Sequence, residues 1–370
     1  MTTVHLVLPL NPQELPTTSA AIFVGNLNAQ IVATEEILAV QPRSVVDRKR
    51  LAGLYKMRAD CRDDIDGYQK AIDLLSDGAA GSPHEDPEAL LLRAQLELSV
   101  HRLARSQTDL DRARSLGADA GAVSAIQIEL DWNAGRYDQA VPAIRKAAAE
   151  RPSTHTLARL AELEHRLGDD GRARDRYARA ESCVRDTLPL TVAWLNLQRG
   201  IHAAETGDLE QAVVFLEEAV RRLPHYFAAR ECLARVTHQL GREDESVSLY
   251  EALAEESANP EHWSHLVAVY RPGHPRRDSI LLRARDAWDR LLARYPEAMY
   301  WHAAEFYLEY LGAPPYAAEL LQKNSVLRPN ADSWWALAEA QAAGGQQSAA
   351  EYSRRTAEEA HARLMKAACS

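Results

Sequence analysis

Apolar and small residues recur along this chain in a fixed order. A glycine is followed five residues on by a small residue, four further by a bulky one and three further by alanine, and the set closes on proline in Gly207, Ala212, Leu216, Ala219 and Pro224. The same offsets give Gly135, Ala140, Ile144, Ala147 and Pro152, then Gly168, Ala173, Tyr177 and Ala180, then Gly241, Ser246, Tyr250 and Leu253. Gly312, Ala317, Leu321 and Pro329 follow, and Gly345, Ala350 and Ala357 come last. Spacings of three and four put residues on one helix face, so each copy predicts a helix starting after its glycine. The glycine supplies the left-handed residue that ends the preceding helix. The small residue lets the helices approach, the bulky one fills the space to the next unit, and proline stops the second helix. The pattern therefore predicts paired antiparallel helices and essentially no strand.

These glycines recur at about 34 residues, except that Gly241 and Gly312 are 71 apart (312 − 241), close to two periods. Within that gap Ala284, Trp288, Leu291 and Pro296 keep the offsets, with Ser279 at the glycine position and an insertion around Arg271 to Arg277. Weaker copies precede Gly135: Asp64, Tyr68 and Ala71, then Ser106, Leu110 and Ala113, joined by a Gly-, Ser-, Pro- and Asp-rich stretch from Ser76 to Pro87 that predicts a flexible turn. This period and order of residues resembles the tetratricopeptide repeat. The resemblance implies an all-α, right-handed superhelical solenoid of about nine helix-turn-helix repeats, closed by a long C-terminal capping helix. Leu160-Ala161 and Leu233-Ala234 keep the family's first-helix pair, whereas Arg199-Gly200, Gln127-Ile128 and Ala304-Glu305 depart from it. The organisation expected is an N-terminal segment over 1–42 with a degenerate half-repeat from Ala20 to Pro42, a solenoid over 43–345, and the second helix of the last repeat with its cap over 346–370.

Composition narrows the function. With 43 Lys+Arg against 53 Asp+Glu the formal charge is −10, which argues against a protein built to hold nucleic-acid phosphates. A content of 46% hydrophobic residues excludes disorder of the whole chain. Cys61, Cys183, Cys232 and Cys369 form no CxxC pair, so they read as reduced structural thiols. The apolar run Val4 to Leu10 has no preceding basic residue and no small-residue cleavage site, so no secretory leader is expected. No window of 18 apolar residues occurs, so no membrane insertion is expected either, and a cytoplasmic location follows as the expectation.

No nucleophile elbow, phosphate-cradling glycine loop, HExxH or carboxylate motif is present, and the expectation is a noncatalytic chain without a cofactor. Among 13 histidines, His262 and His265 share a helix face, but two ligands do not make a metal site, and they read as partly exposed histidines on a helix that carries Trp263 inward. His155, His165, His238 and His302 lie in other repeats and could join only if the repeats bring them together. Aromatic residues concentrate between positions 260 and 340; Trp288 occupies the bulky inter-repeat position, and Trp301 and Trp334 match the family's packing tryptophan.

In the family the first helices line a concave face. The resemblance then implies that the residue after the packing tryptophan, with those four and seven later, points into a groove: His302, Phe306 and Glu309; one unit later Trp335, Glu339 and Ala342; one unit earlier His265 and Val269. The middle units supply Glu231, Arg235 and His238, preceded by Ala158, Glu162 and His165. The candidate ligand-binding residues are His265, His302, Phe306, Glu309, Trp335, Arg235 and His238. The set lacks the Lys, Asn and Arg residues with which chaperone-docking members hold a terminal carboxylate. It suits a protein or peptide partner, apolar with some basic residues, bound by a scaffold or adaptor. Two other readings stay open: a metal- or small-ligand-responsive regulator using the C-terminal histidine and aromatic cluster, and an accessory subunit of an enzyme complex. Arg276-Arg277 in the insertion is a further candidate contact.

Overall fold

Each turn glycine ends a helix. Gly135, Gly168, Gly207, Gly241, Gly312 and Gly345 take φ values between 57° and 82°, and each lies in a break of three or four residues between two helices. The computed structural model describes residues 15–76 and 86–369, so the run Val4 to Leu10 and most of the loop between Ser76 and Pro87 lie outside the described residues. Among the described residues there are nineteen helices and no strand. A lone helix α1 (Ala20–Val40) precedes nine pairs: α2 (Val45–Arg62) with α3 (Ile65–Ser76), α4 (Pro87–Ser99) with α5 (Leu103–Ser115), α6 (Ala120–Asn133) with α7 (Tyr137–Glu150), and α8 (Thr154–Arg166) with α9 (Asp170–Ser182). The pairs continue as α10 (Pro189–Glu205) with α11 (Leu209–Arg222), α12 (Phe227–Gln239) with α13 (Glu243–Glu256), α14 (Pro260–Val269) with α15 (Arg277–Arg294), α16 (Pro296–Glu309) with α17 (Pro314–Leu327), and α18 (Ala331–Ala343) with α19 (Gln347–Cys369). None of the described helices is long and apolar enough to cross a membrane.

Three turns differ from the expected pattern. In the first two pairs the left-handed residue is Asp63 (φ 50°) and His101 (φ 58°) in place of glycine, both residue types that tolerate this region better than most. In the seventh pair the turn is made at Gly273 (φ 84°), and Ser279 lies inside α15. The insertion therefore moved the turn ahead of the position that the repeat spacing assigned to it.

The chain divides into two compact units. The first comprises the described residues up to 25 together with 148–257. In it Ala173, Ala180, Ala212, Leu216 and Ala219 are fully buried at the positions the repeat spacing gave to helix contact. Gly200, where the first-helix pair departs from the family, is required by that packing: a Cβ there would lie 2.6 Å from Leu216 Cγ. Its neighbour Arg199 is buried, bonds Glu181 at 2.8 Å and lies over the Phe215 ring.

The second unit combines two separate stretches of sequence, the described parts of 26–147 and 258–370. A simple repeat array joins only neighbours; here one apolar cluster holds Ala71, Leu75, Ala89, Leu96 and Val100 from the early pairs with Tyr295 and Ala298 from the late ones. Polar contacts follow the same seam. Arg294 pairs with Asp66 at 3.0 Å, Arg328 donates to His101 Nε2 at 3.1 Å, and Arg145 donates to the Ala368 carbonyl at 2.7 Å. Gly135 also packs here, since a Cβ would stand 2.8 Å from the Pro329 carbonyl oxygen.

Candidate functional site

In the second unit, Asn259 caps α14 by accepting from the Glu261 amide at 3.0 Å, with Pro260 in the first turn, where its missing N–H costs nothing. This fixes Glu261 at the start of α14, one turn before His265. Pro296 opens α16 in the same way and places Trp301, His302 and Glu305 within its middle turns. His302 Nδ1 then lies 3.4 Å from Glu261 Oε1 and 3.9 Å from Glu305 Oε2, while His265 Nε2 approaches the same Glu261 oxygen at 3.9 Å. Trp301 Nε1 donates to Glu305 at 2.7 Å and its ring lies under the Arg328 guanidinium.

Charge in this cluster is set by a contest between burial and partners. Burial alone would discharge both His302 and Glu261; their mutual attraction outweighs it, lifting the imidazole to about 9 and lowering the carboxyl to about 2. Glu305, pushed up by burial, is held back by the same imidazolium. Arg328 is brought down to about 10 by burial, and His101, reached by its guanidinium, is pushed to about 3 by burial and then by that charge. The cluster therefore presents an imidazolium between carboxylates beside a neutral histidine that accepts from arginine.

The candidate residues fall into distinct positions. His265 and His302 are half-buried and meet across Glu261, Glu309 is exposed, and Trp335 is 40% exposed. Phe306 corrects the expectation of a groove-facing ring: it is 1% exposed, 6.2 Å from the Trp288 ring and stacked on Tyr310. Four residues beyond His302 it lies slightly round the helix, which carries it into the core. Arg235 and His238 stand on α12 of the first unit, Arg235 half-buried 3.6 Å from Glu231 and His238 exposed. Of the three tryptophans read as packing residues, Trp288 is fully buried and donates to Ser264 Oγ at 3.1 Å, while Trp301 and Trp334 are half-buried. Trp263 points inward as expected, but His262, expected to be partly exposed, is buried beside it, and it is His302, one repeat on, that joins Glu261.

A second histidine cluster, which the sequence reading did not assemble, lies in the first unit. Gly168 turns the chain after α8, Asp169 caps α9 by accepting from the Arg172 amide at 3.1 Å, and the next residue, Asp170, reaches back to His165 Nδ1 at 2.7 Å. His202 of α10 comes within 3.7 Å of Asp170, and its ring meets the His165 ring edge-on at 4.9 Å. The readable signal was a histidine three residues before a turn glycine and an aspartate two after it.

Geometry of this kind, helical pairs broken at left-handed turns and repeated along the chain, defines an α-helical repeat protein. Residues 203–270 match the tetratricopeptide repeat family model. The chain carries the same glycine, small, bulky and alanine positions in helical pairs beyond that segment. It is similar to the human IFIT1 dimer with PPP-AAAA, at 12% identity over 90% of this chain and 87% of that one, with a TM-score of 0.49. It is also similar to the P58(IPK) TPR domain, at 15% identity over 94% of each chain and a TM-score of 0.32. A third similar structure is PilW, a widely conserved type IV pilus biogenesis factor, at 16% identity over 57% of this chain and 94% of that one, with a TM-score of 0.42. No curated protein matches the sequence.

Proposed function

We propose that this protein is a noncatalytic adaptor that holds an extended or helical segment of a partner protein against the first helices of its C-terminal repeats. Tetratricopeptide repeats are a protein-interaction architecture, which supports the general role. The observation that carries the particular reading is Trp335, a large aromatic residue of α18 left 40% exposed, with the exposed carboxylates Glu339 and, on α16, Glu309. An exposed aromatic residue with an exposed carboxylate one helical turn on favours a segment that offers apolar side chains to the ring and Lys or Arg to the acid. His265 and His302 would contribute through the Glu261 cluster, and Phe306, being buried, would act only by supporting α16.

Site-specific photocrosslinking in native cells tests this. A benzophenone side chain at position 335 or 309 is expected to trap one partner polypeptide that a benzophenone at Glu351 on α19 does not. Equal trapping from all three positions, or trapping from α19 alone, would remove the first-helix face as the docking surface. With the partner in hand, Trp335→Ala should cost about 2 kcal/mol or more in binding, as truncation of a true anchor does.

A further inference from the structure

We propose that His165, Asp170 and His202 form a binding site for one divalent transition-metal ion, with zinc as the ion their donor set selects. Their donor atoms lie within 4.8 Å of one another. Asp170 Oδ1 stands 2.7 Å from His165 Nδ1 and 3.7 Å from His202 Nε2. Ligands of tetrahedral zinc at about 2.0–2.2 Å from the ion lie roughly 3.3 Å from one another, so small side-chain adjustments suffice.

Three further features point to a ligand. His202 is 4% exposed, and its Nε2 has no hydrogen-bond partner, an arrangement that costs free energy unless something occupies the lone pair. Tyr177 packs against its ring at 5.5 Å and His165 at 4.9 Å, so the orientation of that nitrogen is fixed. On the opposite edge of His165, Glu205 Oε2 lies 3.1 Å from Nε2. A carboxylate there accepts from Nε2–H, the usual outer partner of a metal-ligating histidine, and so directs the Nδ1 lone pair toward an ion shared with Asp170. Two imidazoles and one carboxylate favour zinc over magnesium or calcium, which prefer all-oxygen sites. Three protein ligands leave a fourth position for water. The exposed Arg174 acts on both Asp170 and His202, against the two carboxylates Asp170 and Glu205.

The test is calorimetric titration of the full chain with zinc after chelator treatment, with cobalt substitution as a second readout. One saturable zinc ion per chain is expected, and bound cobalt should give the visible absorption of a tetrahedral nitrogen and oxygen site. Glu205→Gln, at a half-exposed position, should weaken zinc binding about 10–100-fold while helicity is unchanged. His202→Gln should weaken it further. His302→Gln, in the other histidine cluster, should leave it untouched. No saturable binding by the wild type, unchanged affinity in Glu205→Gln, or loss of binding in His302→Gln would each overturn the assignment.

Discussion

Each unit holds two histidines from successive first helices beside two carboxylates, yet the clusters are built at different heights along their helices and hold different charge. In the first unit the acid that joins them, Asp170, arrives from the turn after Gly168, and His202 beside it is buried and neutral. In the second, Glu261 comes from the opening turn of α14, and His302 stands protonated between it and Glu305. Donor count alone treats the two as equals, since both bring three donor atoms within 4.8 Å. Donor type separates them: the first brings two imidazoles and one carboxylate together, the second one imidazole and two carboxylates.

The largest effect should come from the core beneath the second cluster. Trp288→Ala and Phe306→Ala should each cost about 3–5 kcal/mol in urea unfolding, the usual range for large aromatic truncations in a core. Trp335→Ala should cost under about 0.5 kcal/mol, and a large loss there would mean that its face is packed. Next, zinc at 100 times its dissociation constant should stabilise the wild type by about 2.7 kcal/mol and leave His202→Gln where it was, read as a shift in the unfolding midpoint. Ala212→Leu should overpack the first unit by about 1–3 kcal/mol, because Ala212 is fully buried beside the Gly200 and Leu216 contact.

The smallest effect is the pH dependence that distinguishes the histidines. His302 has its folded value raised from 6.5 to about 9, so its contribution is complete below pH 6.5 and is lost as pH rises through about 9. Glu261, lowered from 4.5 to about 2, contributes above pH 4.5 and loses that contribution as pH falls toward 2. The stability gap between wild type and His302→Gln should therefore be below about 1 kcal/mol at pH 7, because the pair is partly solvated, and should close by pH 10. His202 runs the other way: its lowered value makes folding less favourable as pH falls below 6.5. Proton NMR titration of the two rings should show His302 titrating above neutrality and His202 below it.

The helical pairing was legible because it is enforced locally. A glycine that must take positive φ and an alanine that must be fully buried leave their spacing in the sequence, as Gly207, Ala212 and Ala219 do. Asp63 and His101 hid two turns because their residue types do not demand that conformation, and the Arg271 to Arg277 insertion shifted a third to Gly273. The groove reading followed the family register and placed His265 and His302 together, but one position of helical drift put Phe306 inside. Nothing local encodes which distant side chains meet. The approach of Asp170 and His202, and the seam that joins Asp66 to Arg294, depend on packing of whole hairpins.

That seam also sets an order of events during synthesis. Tyr295 leaves the ribosome 195 residues after Val100 (295 − 100), a delay of about 10–40 s at roughly 5–20 residues per second. For that interval the apolar cluster of Ala71, Leu75, Ala89, Leu96 and Val100 lacks the side formed by Tyr295 and Ala298. The stretch 148–257 is translated within the same interval, and all its own residues are available to it before the late pairs exist. A nascent chain stalled before Tyr295 thus carries a finished inner segment and an uncovered outer one, and it is the form of this protein most in need of a chaperone.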